Sequence, residues 1–197
     1  MKLPVTWINE SFKKDYSADD LSDLLTLSGI ESEIEKDKGE EILDISLTPN
    51  RADCFSYKGI IQEISALDNT KIKYEDLLNP EIHHKECMKV EVQSKEDCPV
   101  FMTRVIKSIN KDANTPKWLK KRLEQSGYKS INAIVDIANF VMLETGQPLH
   151  TYDLKKINEK IIVRRANDKE AIDILDGSRK LLDSDFLVIA DSKKALG

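Results

Sequence analysis

The sequence predicts an α+β protein with two units: a small N-terminal unit of helices and strands, then a larger unit with a mixed sheet. Three observations lead to this prediction. Apolar and polar residues alternate over 42–48, which favours a half-buried strand, and apolar residues recur at helical spacing over 52–67. The balance of charge also changes sign along the 197 residues, a length sufficient for two cores.

Composition excludes several classes of protein. With 40% hydrophobic and 33% charged residues, the chain has the balance of a globular protein rather than a disordered or collagenous one. It contains no apolar run near the roughly 20 residues of a membrane span, and its first residues form no secretory leader. Cys54, Cys87 and Cys98 are odd in number and widely spaced, which argues against a disulfide framework or a zinc knuckle and predicts a reducing cytoplasm.

The charge is distributed unevenly. Residues 1–80 carry 9 basic and 17 acidic side chains, a net charge of −8, whereas residues 81–197 carry 21 basic and 18 acidic ones, a net charge of +3. The first part should repel a polyanion, and the second should tolerate one. Neither part is basic enough to indicate nucleic-acid binding from composition alone.

In the first unit, the pattern predicts a strand over 3–8 and then a helix. Ser17 is the candidate N-cap of this helix, with Asp20 in the capping-box position, and Gly29 is a natural end. Charged residues over 35–41 predict a turn.

A polar segment separates the two units. Beyond the helix predicted over 52–67, residues 75–87 contain Pro80, show no periodicity and coincide with the change in charge. We therefore predict one domain over 1–74 and a second over 88–197, joined by a linker over 75–87.

The second unit is predicted to begin with strands near Val90 and over 99–109. A helix then begins at Thr115 and Pro116, with Trp118 facing inward, and ends at Gly127. The remaining predicted elements are a helix over 130–144, strands over 161–165, 171–175 and 186–190, and a hairpin turn at Asp176 and Gly177.

The segment 147–153 carries the most distinctive chemistry. His150 follows the end of the apolar helix, and a neutral imidazole both donates and accepts a hydrogen bond, so it could orient a water or a carbonyl, or simply cap the helix. Asn139 and Asp136 lie within that helix, where a buried polar group needs hydrogen-bond partners. For the Asn139 amide, either a ligand or a backbone carbonyl would serve.

Basic side chains at helical spacing form a patch that is either a contact surface for RNA phosphates or a solvated helix face. The candidate phosphate contacts are Lys117, Lys120, Lys121 and Arg122, with Lys129 nearby. No metal site is predicted, and no glycine-rich nucleotide loop or Gly-x-Ser-x-Gly motif occurs.

For three further patterns we favour a non-functional interpretation. Residues 48–54 predict a turn that caps a helix. The second pattern is a conceivable nucleophilic group formed by Cys54, His150 and Asp153. The third is a conceivable metal site formed by His83, His84 and Cys87.

Several longer segments resemble one known family. Residues 130–153 run from Ser-Ile-Asn-Ala-Ile-Val-Asp to Gln-Pro-Leu-His-Thr-Tyr-Asp without a gap, within a similar stretch over 98–153. The other matching segments are 1–9, 27–31, 44–54 and 187–196. Together they resemble the N-terminal part of the β subunit of bacterial phenylalanyl-tRNA synthetases, with a first domain and an editing module.

The resemblance implies a subunit of an α2β2 ligase that charges tRNA(Phe). In this family the α subunit holds ATP, magnesium and phenylalanine, so no cofactor is expected in this chain. The β subunit hydrolyses tyrosine wrongly attached to the tRNA, with His150 and Asn139 at pocket-lining positions. The implied partners are the α subunit and tRNA(Phe), with no membrane and no DNA, and the implied location is the cytoplasm.

Three departures from the family pattern limit this expectation. Ala138 stands where the family commonly has a threonine that helps to bind the aminoacyl end. The short turn over 35–41 replaces an oligonucleotide-binding insertion, and the chain stops at Gly197, before a glycine-rich segment and an acidic pocket residue. We therefore expect little or no catalysis from the isolated chain. A non-catalytic RNA- or protein-binding module that reuses the fold is the alternative, and a cysteine hydrolase using Cys54 is a third hypothesis.

Overall fold

The computed structural model describes residues 1–73, 79–174 and 177–197. It combines helices with antiparallel and mixed sheets, which confirms the predicted α+β class. Within these described ranges, no helix is both long enough and apolar enough to cross a membrane.

Packing divides the described residues into two compact units. The first consists of 1–73 with 110–151, and the second of 79–109 with 152–174 and 177–197. This division differs from the predicted one, which placed everything beyond 87 in the second domain. The difference arises because the two helices within 110–151 pack into the core of the first unit. Residues 74–78, where the predicted linker begins, lie outside the described residues.

The first unit contains a three-stranded antiparallel sheet with the order β1–β3–β2. The strands are β1 (Lys2–Pro4), β2 (Glu31–Asp37) and β3 (Glu40–Ser46). Lys38 and Gly39 join β2 to β3, both at positive φ, as the favoured two-residue hairpin requires. The charged turn predicted here is therefore shorter than expected, because cross-strand pairing takes its flanking residues into the ladder.

The strand predicted over 3–8 is wrong beyond Pro4, where α1 (Val5–Glu10) begins. Pro4 has φ −61°, which suits the start of a helix, and its missing N–H costs nothing there. Trp7 and Ile8 are buried on this short helix. A run of six residues is too short for its apolar pattern to distinguish the period of a strand from that of a helix.

The capping prediction at Ser17 is confirmed in α2 (Ala18–Leu27). The Ser17 hydroxyl accepts a hydrogen bond from the Asp20 backbone N–H, and the Asp20 carboxylate accepts one from the Ser17 N–H. Gly29 follows the helix at φ +89°. Such end signals involve only neighbouring residues, which is why the sequence predicts them well.

The helix predicted over 52–67 is interrupted. A 3₁₀ turn at Ala52–Cys54 precedes α3 (Tyr57–Leu67), which therefore starts later than expected. The turn folds back so closely that a Cβ on Gly59 would lie 2.0 Å from the Asp53 carbonyl oxygen. A glycine is required at this position because the two backbone segments touch.

The predicted start and end of α4 (Lys117–Gln125) are confirmed, with Pro116 before it and Gly127 after it at φ +85°. The inward orientation predicted for Trp118 is wrong, since this side chain is 53% exposed. Leu119 and Leu123 occupy the buried face of α4, and the Trp118 position lies to one side of that face.

The apolar helix α5 (Ala133–Thr145) begins after Asn132, whose side-chain oxygen accepts hydrogen bonds from the backbone N–H groups of residues 134 and 135. It ends at Gly146, which is left-handed at φ +76°. Leu143 of α5 is buried in the core of the first unit, and Phe140 packs against that core. These contacts are the reason that α5 belongs with the N-terminal strands.

The second unit contains a mixed sheet, as predicted, and a separate hairpin. Its strands are β4 (Lys89–Val92), β5 (Lys160–Arg165), β6 (Glu170–Asp173), β7 (Arg179–Leu182) and β8 (Leu187–Ala190). β5 pairs in parallel with β4 and antiparallel with β8, while β6 and β7 form the hairpin.

Two strand predictions differ from the second unit as observed. Residues 99–109 alternate like a strand but form no regular element in the described structure, and β7 was not expected. The end of the strand predicted over 171–175 and the first residue of its turn, Leu175 and Asp176, lie outside the described residues.

Candidate functional site

The helix α5 positions two of the residues singled out from the sequence. Ala138 and Asn139 lie in its middle and are both half-buried. The Asn132 cap at one end and Gly146 at the other fix the length of the helix. The Asn139 amide is therefore held on a rigid element, which suits a group that must position a ligand.

Asp136, one turn earlier on α5, has an architectural role. Its carboxylate is fully buried and accepts hydrogen bonds from the Thr115 hydroxyl, from the Ser130 hydroxyl at 2.7 Å and from the Ile131 N–H at 2.9 Å. Burial alone would raise the pKa of this carboxyl, but the hydrogen bonds outweigh it and hold the pKa below the ordinary value. Asp136 thus ties the segments that precede α4 and α5 to each other.

His150 lies beyond α5, in the irregular segment that follows Gly146, and it is exposed. An exposed imidazole at this point is accessible to an incoming ligand. The cavity nearest the end of α5 is not lined by His150 or by Asn139. Their convergence on one hollow therefore stays a prediction.

That cavity has a volume of about 350 Å³ and lies where the end of α5 meets the N-terminal strands. Its lining consists mostly of apolar and aromatic side chains. The lining residues are Met1, Phe55, Ser126, Tyr128, Met142, Leu143, Gly146 and Pro148. The sequence gives no signal of this cavity, because its walls come from segments far apart in the chain, and Ser126 reads locally as the end of a helix.

Most of the basic side chains proposed as phosphate contacts have acidic partners within the first unit. Lys121 forms an ion pair with Glu40, Arg122 pairs with Glu10, and Lys120 lies 3.8 Å from a carboxylate one turn along α4. Among the described residues, Lys117 has no such partner. The patch is thus closer to the solvated, paired helix face than to a free cationic surface.

A second polar cluster surrounds Arg51. Its guanidinium donates hydrogen bonds to the carboxylates of Asp53 and Glu63, at 3.0 and 2.7 Å, and to the Cys54 sulfur at 2.9 Å. The three acceptors lie within 4.8 Å of one another, a spacing that would also suit a metal ion. Because a guanidinium already lies among these acceptors, the cluster is complete as a structural ion-pair network.

Neither cysteine alternative gains support from the geometry. Burial and the Asp53 hydrogen bond raise the pKa of the Cys54 thiol to about 11, whereas a nucleophilic cysteine needs a lowered pKa. In the proposed metal group, His83 and Cys87 are exposed. His84 accepts a hydrogen bond from the backbone N–H of Glu86.

Comparison with known proteins now identifies the class. The profile of the B3/4 domain family matches residues 97–197, about half of the chain, and the chain belongs to that family.

The individual relatives are more specific. The chain is 43% identical over 154 residues, 78% of its length, to the phenylalanine–tRNA ligase β subunit of Aliivibrio fischeri. It is 39% identical over 181 residues, 91% of its length, to the subunit of the same name from Francisella tularensis. These alignments cover 19% and 23% of the two relatives, so the chain spans about a fifth of their length. The resemblance to this β subunit is thereby confirmed.

Proposed function

We propose that this chain acts as the N-terminal part of a phenylalanine–tRNA ligase β subunit and takes part in charging tRNA(Phe). The observation that carries the proposal is the identity of 39–43% to curated β subunits, which extends over 78–91% of the chain. Similarity over both compact units, rather than over one motif, supports a shared role. The partners in this proposal are tRNA(Phe) and an α subunit, in a cytoplasmic heterotetramer.

The finer proposal is hydrolytic editing of Tyr-tRNA(Phe). Adding one hydroxyl to a substrate is only weakly rejected by an apolar pocket, so a ligase for phenylalanine gains fidelity from a second, hydrolytic site. The half-buried Asn139 would hold the aminoacyl end through its amide, and the exposed His150 would orient the ester or the attacking water. Ala138 offers no hydroxyl beside them.

In this proposal the α subunit binds ATP and magnesium and forms the aminoacyl adenylate. The proposal assigns no residue of the present chain to the binding of ATP or magnesium. In this proposal the β subunit contributes proofreading rather than amino-acid activation, and the isolated chain has little or no activity by itself.

The test follows loss of the ester from Tyr-tRNA(Phe) in the presence of the chain combined with an α subunit. Hydrolysis that His150→Ala lowers by roughly 10²-fold or more, the range of a lost general acid–base group, would support editing. The matched control is His83→Ala, which removes an exposed histidine of the second unit and should leave the rate unchanged.

Two outcomes would contradict the editing proposal. Equal hydrolysis by the wild type and His150→Ala would exclude the role given to the imidazole. Binding of tRNA(Phe) without any hydrolysis would favour the non-catalytic RNA-binding module instead.

A further inference from the structure

Four exposed lysines of the second unit lie on two segments that are far apart in the chain. One segment is a 3₁₀ turn at Leu154–Lys156, and the other directly follows β8. Among the described residues, none of the four ammonium groups forms an ion pair. We call this group the lysine surface, and its members are Lys155, Lys156, Lys193 and Lys194.

The carboxylate of Asp191 holds the two segments against each other. It is buried and accepts hydrogen bonds from the backbone N–H of Asn158 at 3.0 Å and from the Asn158 side-chain amide at 2.6 Å. It also accepts the backbone N–H groups of Lys193 and Lys194, at 2.8 and 2.9 Å. Burial alone would raise the pKa of this carboxyl, but the hydrogen bonds outweigh burial and keep the pKa well below its ordinary value. The backbone that carries the lysine surface is therefore held in place at neutral pH.

Two further hydrogen bonds join the same segments. The backbone N–H of Ser192 donates to the Asn158 carbonyl at 3.3 Å, and the Ser192 hydroxyl donates to the Glu159 carboxylate at 2.9 Å. Nearby, the Tyr152 hydroxyl lies beside Gly197, where an added Cβ would be 3.5 Å from it. The stretch before β5 and the stretch after β8 thus form one continuous surface.

Three carboxylates belong to these segments, and none of them forms an ion pair with a member of the lysine surface. Asp191 is enclosed by N–H donors. Asp153 accepts a hydrogen bond from the Lys155 backbone N–H at 3.0 Å, and Glu159 is engaged by the Ser192 hydroxyl. The four ammonium groups therefore remain available to an external anion.

The basic face of α4, where the phosphate contacts were predicted, has the opposite arrangement. Lys121 and Arg122 already have the carboxylates of Glu40 and Glu10 as partners. A paired cation must give up its partner before it binds a phosphate. The lysine surface carries no such cost, and release of counterions by free cations supplies much of the affinity for a nucleic-acid backbone.

We propose that the lysine surface binds the phosphodiester backbone of RNA, which is tRNA in the proposed function on which this inference rests. RNA is favoured over an acidic protein segment because the relatives are subunits of tRNA ligases. A lysine ammonium binds phosphate as a point charge, and phosphate contacts carry no sequence information. The surface therefore holds the tRNA in position without selecting its sequence.

The test measures binding of a fluorescent tRNA(Phe) transcript to the whole chain by anisotropy, over about 50 to 200 mM salt. In one variant, glutamine replaces all four members of the lysine surface. The matched control has the same change in net charge at four other exposed lysines of the second unit that form no ion pair among the described residues. These control changes are Lys85→Gln, Lys95→Gln, Lys169→Gln and Lys180→Gln.

We expect the slope of log affinity against log salt to be smaller by about 3 in the lysine-surface variant, as the loss of four phosphate contacts predicts. The control should change the slope by less than about 1. A transcript of a non-cognate tRNA should respond to both variants in the same way. Thermal unfolding checks that both variants keep the wild-type fold, which glutamine at exposed positions should preserve.

The outcomes separate this inference from the proposed function. Equal slopes for the two variants would overturn the inference and leave the proposed function standing. A wild-type chain that binds neither transcript would contradict both. Binding of polyglutamate that only the lysine-surface variant loses, with unchanged binding of tRNA, would indicate an acidic protein partner and would also overturn the inference.

Discussion

The Arg122 guanidinium lies over the ring of Trp7, 5.0 Å from its centroid. The same group lies 5.4 Å from the Trp118 ring and forms an ion pair with Glu10. Trp7 in turn stacks on Tyr57 at a centroid distance of 4.2 Å. These contacts connect α4 with α1 and α3, and they explain why Arg122, one of the candidate phosphate contacts, is mostly buried within the unit.

Replacing Arg122 should therefore lower the stability of the fold more than replacing Lys117, another basic residue of α4. Arg122→Ala removes a cation–π contact, an ion pair and buried methylene groups, so we expect a loss of about 1–2 kcal/mol in the free energy of unfolding. Lys117→Ala should change it by less than about 0.5 kcal/mol. Urea unfolding followed by tryptophan fluorescence measures both, and equal effects would show that the Arg122 contacts contribute nothing.

A side chain at Gly59 should be poorly tolerated. The Asp53 carbonyl oxygen would lie only 2.0 Å from a Cβ at this position, so Gly59→Ala must displace backbone, and we expect a cost of at least about 2 kcal/mol. Gln62→Ala, at an exposed position of the same helix, provides the control and should be nearly neutral. A Gly59→Ala chain with wild-type thermal stability would contradict the close approach.

Acid should weaken the fold of the second unit through Glu170. Hydrogen bonds from Arg164 at 2.7 and 2.8 Å lower the pKa of the Glu170 carboxyl from 4.5 to about 2. Because the folded pKa is the lower one, this stabilisation is present above the unfolded pKa and is lost as the pH falls towards 2.

The free energy of unfolding should consequently fall between about pH 5 and pH 2 less steeply in Glu170→Gln than in the wild type. Asp168→Asn, which alters an exposed carboxylate nearby, should retain the wild-type slope. Denaturant unfolding at several pH values gives both curves, and parallel curves for wild type and Glu170→Gln would refute the assignment.

The cysteines should differ in reactivity. Cys87 is exposed, whereas Cys54 is buried and the pKa of its thiol is raised to about 11. A thiol reagent at neutral pH should modify Cys87 quickly and Cys54 only on unfolding, since the thiolate is the reactive form. Mass spectrometry of the modified peptides identifies the site. Rapid labelling of Cys54 in the folded chain would revive the cysteine hydrolase hypothesis.

Restoring a hydroxyl beside Asn139 should improve the proposed editing site. Ala138→Thr adds one hydrogen-bonding group at a half-buried position, worth about 0.5–1.5 kcal/mol, or roughly a two- to tenfold gain in binding of the aminoacyl end. The concentration of a Tyr-adenosine ester analogue that displaces bound tRNA from the chain measures this change in binding. Ala138→Val is the control, because valine has the shape of threonine without the hydroxyl. Equal binding by the two variants would show that the hydroxyl does not contribute to binding of the aminoacyl end.

The signals that the sequence carried reliably are local. Ser17 with Asp20 predicts a helix start because the hydrogen bonds join residues three apart, and Gly29 and Gly127 predict helix ends because only a few neighbours decide the left-handed turn. The family resemblance belongs to the same category, since it rests on contiguous segments such as 130–153.

The tertiary structure decided what depends on distant partners. Residues 99–109 have the alternation of a strand but pair with no strand among the described residues, and β2 forms from charged residues because β3 is there to pair with it. Trp118 was expected inside, yet the partner packed on α4 determines which of its faces is buried. Arg122 became a packing residue, and Ser126 became part of a cavity wall, only when segments far apart in the chain met. Sequence alone thus determined the capped start of α2, the glycine ends of α2 and α4 and the family of this chain. Folding determined the neighbours of each side chain, because burial and pairing are properties of contacts between remote residues.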